Sequence, residues 1–385
     1  MLLASALTYL ISGIYYGFIF SPYTDDNHAA SREFTSLLEI IDREYIGEYN
    51  VNDTADAAMR AAVDSLGDRW SYYMTPDEYS EFIKSMNNQF AGIGVGVIID
   101  EETGGMKTVS IYRGSPAERA GIKEGDVITH IDGESLNGLT LTKMKDLLVR
   151  PIGKTAELTV LRVSGDVEKV NVLYDLVFVD PVEFEMLDSE IGYIKIANFD
   201  KGAADGFISA VESLLEQGAL AFIFDVRNNG GGRVSEMTRI LDYLLPEGEI
   251  FISIDKSGNE EITWSDSKML DQSAVVLVNR YSYSAAEYFT ATLQEYKYAE
   301  AVGEHTTGKS RSQRTLELPG GGAVHISTGQ YLTKNRIALY DIGGLMPDHV
   351  YTMTDEEIYY FSSGSLQKEN DPQLTQAISI VKSIL

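Results

Sequence analysis

Apolar and polar positions change period several times along this chain, and each change marks an element. Leu2 to Phe20 is nearly all apolar, and no charged side chain occurs from Met1 to Thr24. About 20 such residues span a bilayer. With no basic stretch and no small-x-small cleavage site, the run reads as an uncleaved anchor rather than a removable signal peptide. Gly13, Gly17 and several tyrosines keep it only moderately hydrophobic, so a buried core helix is the competing assignment. The Ser21-Pro22 step ends the run, because a residue before proline is pushed out of helical geometry. Phe34, Leu37, Leu38, Ile41 and Tyr45 then recur at helical spacing, and a second amphipathic helix is predicted over Asp53 to Leu66.

Thr75-Pro76 opens a further helix as N-cap and first helical residue. From about Gln89 to Tyr174 short β-rich runs alternate with turns. From Ile191 the order becomes a strand (Ile191 to Ile196), a helix (Ala203 to Leu215) and a strand (Leu220 to Val226), which implies parallel pairing with right-handed crossovers. Val275 to Val278 reads as a buried strand, and apolar residues at 285, 288, 289, 293 and 296 make Ser284 to Tyr296 a helix. Arg314 to Leu318 and Ala323 to Ser327 form a hairpin across Pro319-Gly320-Gly321-Gly322. Asp371-Pro372 opens a last helix with Leu374, Ala377, Ile378 and Val381 on one face.

Length and charge narrow the function. A chain of 385 residues has room for two or three domains. Its formal charge of −27 would repel nucleic acid and anionic lipid alike. Zero cysteines exclude a disulfide framework, a thiolate metal site and a cysteine nucleophile. His28, His130, His325 and His349 lack ligand spacing and read as surface or packed residues, so no metal site is expected.

The chemistry concentrates between Val275 and Gln313. Ser284 falls at a helix N-terminus, where free N–H groups and the helix dipole favour a developing oxyanion. It needs a base, and a lysine desolvated in an apolar pocket can accept its proton near neutral pH, which makes Lys309 the candidate. Gln313 could hold the amine without favouring its charged form, as a carboxylate would. His305, four residues before Lys309, is the alternative base. Taken locally, Ser284-x-x-Glu287 is better explained as a helix capping box and nothing more.

Larger motifs reverse that balance. Asp225-Val226-Arg227-Asn228-Asn229-Gly230-Gly231-Gly232, the Ser282-Tyr283-Ser284-Ala285-Ala286-Glu287 turn, Gly308-Lys309 and Gln313 resemble, in order and spacing, the carboxyl-terminal processing peptidases. Lys309 follows Ser284 by 25 positions and Gln313 follows Lys309 by 4, as the nucleophile, base and orienting glutamine do in that family. Gly67 to Tyr79 and Gly343-Gly344-Leu345-Met346-Pro347-Asp348 also resemble its motifs. Gly114 to Ile122, Gly125-Asp126-Val127-Ile128 and Ile131-Asp132-Gly133 resemble bacterial PDZ domains. Gly92-Ile93-Gly94-Val95 looks like their carboxylate-binding loop, and Thr140 to Leu148 like the helix closing the peptide groove.

The resemblance implies a multidomain α/β protein with a crotonase-like peptidase core and an inserted PDZ domain between helical terminal segments. The divisions expected are 1–21 (anchor or signal segment), 30–88 (helical region), 89–175 (PDZ domain), 176–365 (peptidase core) and 366–385 (C-terminal helix). Ser284, Lys309 and Gln313 would be catalytic, Gly231 and Ala285 would supply oxyanion-hole N–H groups, and Gly92, Ile93, Gly94 and Val95 would bind the peptide terminus. The implied activity is cleavage of proteins near their C-termini without metal or cofactor, outside the cytoplasm, with dimerisation through terminal helices. The alternative is a PDZ scaffold with an inactive core. Departures from the pattern are Gly230 at a place often proline, Tyr283 where a small residue is usual and Ala286 in place of a second serine. None removes a catalytic group, and Tyr283 is expected to narrow the cleft.

Overall fold

The computed structural model describes residues 25–385. The expected anchor over 1–21 lies outside them, and no described helix is long and apolar enough to cross a membrane. Two compact units are present, ending and beginning at Gly67 and Asp68. In the first, α1 (Asp25–Glu44) and α2 (Val51–Asp64) realise the two amphipathic patterns, with Asn50 capping α2 through its side chain.

The second unit opens with β1 (Tyr72–Met74) and α3 (Pro76–Met86). Thr75 and Glu78 close a reciprocal capping box at the start of α3. β2 (Gln89–Gly92) pairs antiparallel with β9 (Asp175–Phe178), so the chain enters and leaves the PDZ-like region side by side. Between them, β3 (Val95–Ile99), β4 (Met106–Ile111), β5 (Val127–Ile131), β6 (Glu134–Ser135), β7 (Thr155–Leu161) and β8 (Val167–Leu173) form one sheet, with α4 (Pro116–Arg119) and α5 (Leu141–Leu147). Met144 of α5 is buried with Ile128, Leu158 and Val172, giving this region its own core.

β10 (Val182–Met186), β11 (Ile191–Ile196), β12 (Ala221–Asp225), β15 (Ser273–Val278), β16 (Ala299–Gly303) and β19 (His349–Val350) form the central sheet in that spatial order. All neighbours are parallel except β10 against β11. Covering both faces of such a sheet requires near-continuous apolar strands, and every residue of β12 is buried. One face packs on α6 (Ala203–Glu216), α7 (Val234–Leu244) and α8 (Ala285–Glu295), through residues such as Phe207, Leu241 and Phe289. The other receives Leu374, Ala377 and Val381 of α10 (Pro372–Ile384), the face predicted for the last helix. α9 (Asp355–Ser362) precedes it.

A second sheet carries β1, β13 (Gly248–Asp255), β14 (Glu260–Ser265), β17 (Arg311–Glu317) and β18 (Ala323–Leu332). The predicted hairpin is β17 with β18, longer at both outer ends than its apolar pattern indicated. A register shift between Ser312 and Gln313 interrupts their ladder beside the site.

Candidate active site

The chain leaves β12 through Arg227 into a loop fixed by side-chain hydrogen bonds. Asn229 Nδ2 donates to Ile196 O at 2.8 Å, and Asn279 binds Asn228 through both backbone and side chain. Ser282 Oγ donates to Val226 O at 2.7 Å, tying the end of β12 to the turn after β15. These bonds fix the positions of two loops that are far apart in sequence. Arg227 pairs with Asp225 and with Asp371 at the cap of α10, and all three side chains are buried. The C-terminal helix is thereby joined to the root of the glycine loop.

Ser284 ends the turn with φ 58 and ψ −123, a conformation costly for a residue with a side chain, and α8 begins at the next residue. Strained serines on strand-to-helix turns are a recurrent way to present a nucleophile. Ala285 N–H has no acceptor among the described residues. Gly231, at φ 92, runs so close that a Cβ there would fall 2.8 Å from Ser284 Cβ. Its N–H, the second expected oxyanion donor, instead donates to Asn229 Oδ1 at 2.8 Å.

Glu287 is fully buried and is more than half of a capping box. One of its oxygens accepts Thr306 Oγ1 at 2.5 Å and Gly308 N at 2.6 Å; the other accepts Ser284 N and Lys309 N, both at 2.9 Å. Burial raises its pKa against the opposing pull of these donors. Gly308 has φ 82, and a Cβ there would meet Gly344 N at 2.8 Å, so the glycine pair before Leu345 makes room for the turn that carries Lys309.

Lys309 Nζ lies 4.5 Å from the centre of the Trp70 ring and 5.8 Å from that of Tyr283. Burial lowers its amine from 10.5 to about 8; Asp68 and Glu287 pull upward and Arg69 adds to the lowering. Among the described residues Nζ forms no hydrogen bond, so the Gln313 contact expected from spacing is not made. Gln313 Nε2 donates to Arg311 O at 2.9 Å and to Ser327 Oγ at 3.1 Å. Ser284, Lys309 and Gln313 nevertheless line one cleft of about 970 Å³, with Tyr79, Phe82, Ile83 and Met86 of α3 in its wall. His305 does not line it, whereas His325 does. His325 stacks on Tyr72 at 4.9 Å, and burial together with the Lys309 charge lowers it to about 4.

Two departures from the family pattern explain each other. A Cβ on Gly230 would fall 2.6 Å from the Tyr283 hydroxyl, so the large residue occupies the space the missing side chain leaves. Tyr283 also packs on Trp70, with ring centres 5.7 Å apart, and lines the cleft.

A sequence model of peptidase family S41 matches residues 190–351, and one of the PDZ domain matches 108–162. The carboxyl-terminal-processing protease of Picosynechococcus sp. is 30% identical over 337 residues, covering 86% of this chain and 79% of that protein. The chain belongs to this family of carboxyl-terminal processing proteases. The carboxy-terminal processing protease CtpA of Bacillus subtilis is 29% identical over 303 residues, and the chain spans 65% of that relative's length. A solved S41-type structure from Bacteroides fragilis, 19% identical, superposes with a TM-score of 0.55 over 89% of this chain and 92% of its own, which shows the shared fold.

Family membership puts the motifs in context, and the structure adds residues that spacing did not reveal. Asp68 and Trp70, from the turn before β1, and His325 of β18 surround Lys309, and Asp200 lies on the cleft wall. The resemblance of Gly67 to Tyr79 to a family motif is the one signal in the sequence for Asp68 and Trp70. In the PDZ region, Gly94 has φ 79 and packs so that a Cβ would fall 2.3 Å from Ser115 Cβ, while Ile93 is buried and its carbonyl accepts Ala117 N at 2.8 Å. Gly92 ends β2 and Val95 begins β3, so the four residues form the link between those strands.

Proposed function

We propose that this chain is a serine endopeptidase that cleaves proteins near their C-termini, with neutral Lys309 taking the proton of Ser284 Oγ. The observation that carries this reading is the Glu287 carboxylate, which binds the backbone of nucleophile and base through a single oxygen. In the resting arrangement the amine rests on Trp70. Catalysis then requires it to turn from the ring toward Ser284, with Gln313 released from Ser327 to orient it. Catalytic hydrogen bonds are often long or unmade before substrate binds.

Attack by Ser284 Oγ on the scissile carbonyl places negative charge at the start of α8, where Ala285 N–H is open to receive it. Gly231 N–H joins as second donor on exchanging Asn229 Oδ1 for the stronger, charged acceptor. The protonated Lys309 then delivers its proton to the leaving amine, and water hydrolyses the acyl-enzyme by the same route in reverse. A crotonase-like core is part of this reading, supported by the mostly parallel central sheet and the helices packed on it. The PDZ region would hold the substrate carboxylate on the amides of Gly92 to Val95. Residues 1–21 would hold the protein at a membrane with the peptidase outside the cytoplasm, a reading supported by their uncharged, mostly apolar sequence; pairing of chains through terminal helices completes the proposal.

Incubating the chain from Asp25 onward with an unfolded protein, and identifying fragments by mass spectrometry, tests the activity. Fragments ending near the substrate C-terminus are expected, and none with Ser284→Ala. The contact of Gln313 with Ser327 rather than Lys309 favours the inactive scaffold as the second reading. Intact substrate after incubation with the wild-type chain would establish it.

A further inference from the structure

One ionisable group on the cleft wall has no part in that chemistry. Just past β11, Phe199 N donates to Gly231 O and Arg233 N donates to Phe199 O, both at 2.8 Å. Phe199 thus bridges to Gly232, whose lack of a side chain is required: a Cβ there would lie 2.8 Å from Asp200 N. Asp200 is therefore strapped to the loop that runs against Ser284. Asp200 is half-buried in the wall of the cleft, and its Oδ1 is buried without a hydrogen-bond partner among the described residues.

No ion pair is made to this carboxyl among the described residues, although the Arg233 charge lies near enough to oppose its rise. Arg233 spends its guanidinium on Met86 O at 2.8 Å and Asn87 Oδ1 at 2.9 Å, and forms no ion pair with Asp200 among the described residues. Glu236 of α7 accepts Ala204 N at 2.9 Å and lies 3.9 Å from Arg239 Nη1, and it adds a second negative charge near Asp200. Burial pushes Asp200 up to about 7, with Arg233 opposing and Glu236 adding to the rise. A buried polar atom left unpaired in a folded protein needs a reason, and a substrate group that pairs with it supplies one.

We propose that Asp200 is a specificity-determining residue that receives a lysine or arginine side chain of the protein substrate, on the Gly230 to Gly232 side of Ser284. A cation suits the site better than a neutral donor, because it offsets the charge of Asp200 and Glu236 as well as supplying the N–H. The proposal rests on the peptidase reading of this cleft, and deepens it.

The test uses peptides differing only by lysine, arginine, norleucine or glutamate at each position around the cleaved bond. At one position the wild-type chain is expected to favour lysine and arginine over norleucine by about tenfold in kcat/KM. Asp200→Asn should bring that ratio near one, and Asp200→Lys should move the preference to glutamate. Binding of the same peptides to Ser284→Ala, which needs neither turnover nor a change at Asp200, should show the same preference. Failure of the wild-type chain to cut any peptide, with lysine still preferred in binding, would overturn the peptidase reading and leave the Asp200 site standing. Cleavage with no lysine or arginine preference at any position, or a preference untouched by Asp200→Asn and Asp200→Lys, would overturn the Asp200 proposal alone.

Discussion

Ser284 and Lys309 are held by one atom: Glu287 Oε2 accepts the backbone N–H of each at 2.9 Å. Every group facing this buried carboxylate is a donor, so an amide in its place would turn an NH2 against N–H groups that have no other acceptor. Glu287→Gln is therefore expected to lower stability by on the order of 3 kcal/mol and to lower kcat at least 100-fold. KM should change little, because the cleft walls remain. Urea denaturation and steady-state kinetics check this, and a glutamine variant with wild-type kcat would remove Glu287 from the assembly of the site.

Lys309 sets the pH dependence. Its amine is lowered to about 8, so the neutral base is scarce at pH 6, and kcat/KM should climb about tenfold per unit up to that region and then level off. The stability linkage has the matching sign. Below pH 8 both folded and unfolded chains hold the proton, and the cost of burying the ammonium is fully present. Between 8 and 10.5 the folded chain has released its proton and the unfolded chain has not, so stability rises with pH. Lys309→Met should accordingly stabilise the protein at pH 7 by on the order of 1–3 kcal/mol, with a gain that shrinks toward pH 10. A gain constant with pH would show that the side chain is not desolvated.

Gly230 and Tyr283 are expected to be energetically coupled. Gly230→Ala forces the Tyr283 hydroxyl to move, a displacement of a side-chain tip that should cost under about 1 kcal/mol. In a Tyr283→Ser background the same alanine should cost nothing measurable. A double-mutant cycle by thermal denaturation gives the coupling directly, and additive effects would contradict the packing described.

The Gly92 to Val95 link should favour peptides with a free terminal carboxylate. Amidation removes the charged acceptor that its N–H groups would hold, and affinity should fall at least tenfold. Calorimetric titration of acid and amide peptides decides this. Equal affinities would make the segment a purely structural connection.

The parallel sheet was largely legible beforehand, because strands buried on both faces are continuous apolar runs: Ile191 to Ile196 matches β11, and Val275 to Val278 lies within β15. Antiparallel β10 and the β13–β14 pair were not read, since Phe184 and Trp264 stay exposed and the alternation that marks a half-buried strand is weak there. At the site, Ser284, Lys309 and Gln313 are singled out by the family resemblance, and the cleft contains all three. Glu287 was read as a local cap because its other partners, Thr306 to Lys309, lie about twenty positions away and show no pattern of their own. His325 has no ligand spacing in the sequence, yet folding brings β18 against β1 and places it beside Lys309. Asp200 carries no motif, and only the Phe199 to Gly232 bridge puts it in the cleft.

Comparing Ser284→Ala, Lys309→Ala and the double variant on one protein substrate tests the pairing of nucleophile and base most directly. Residues that act as one unit lose their effect together. The three forms should be folded and should show the same residual rate. Substantial turnover by Ser284→Ala, or normal activity in Lys309→Ala, would contradict the assignment, and the second result would move the base to another group.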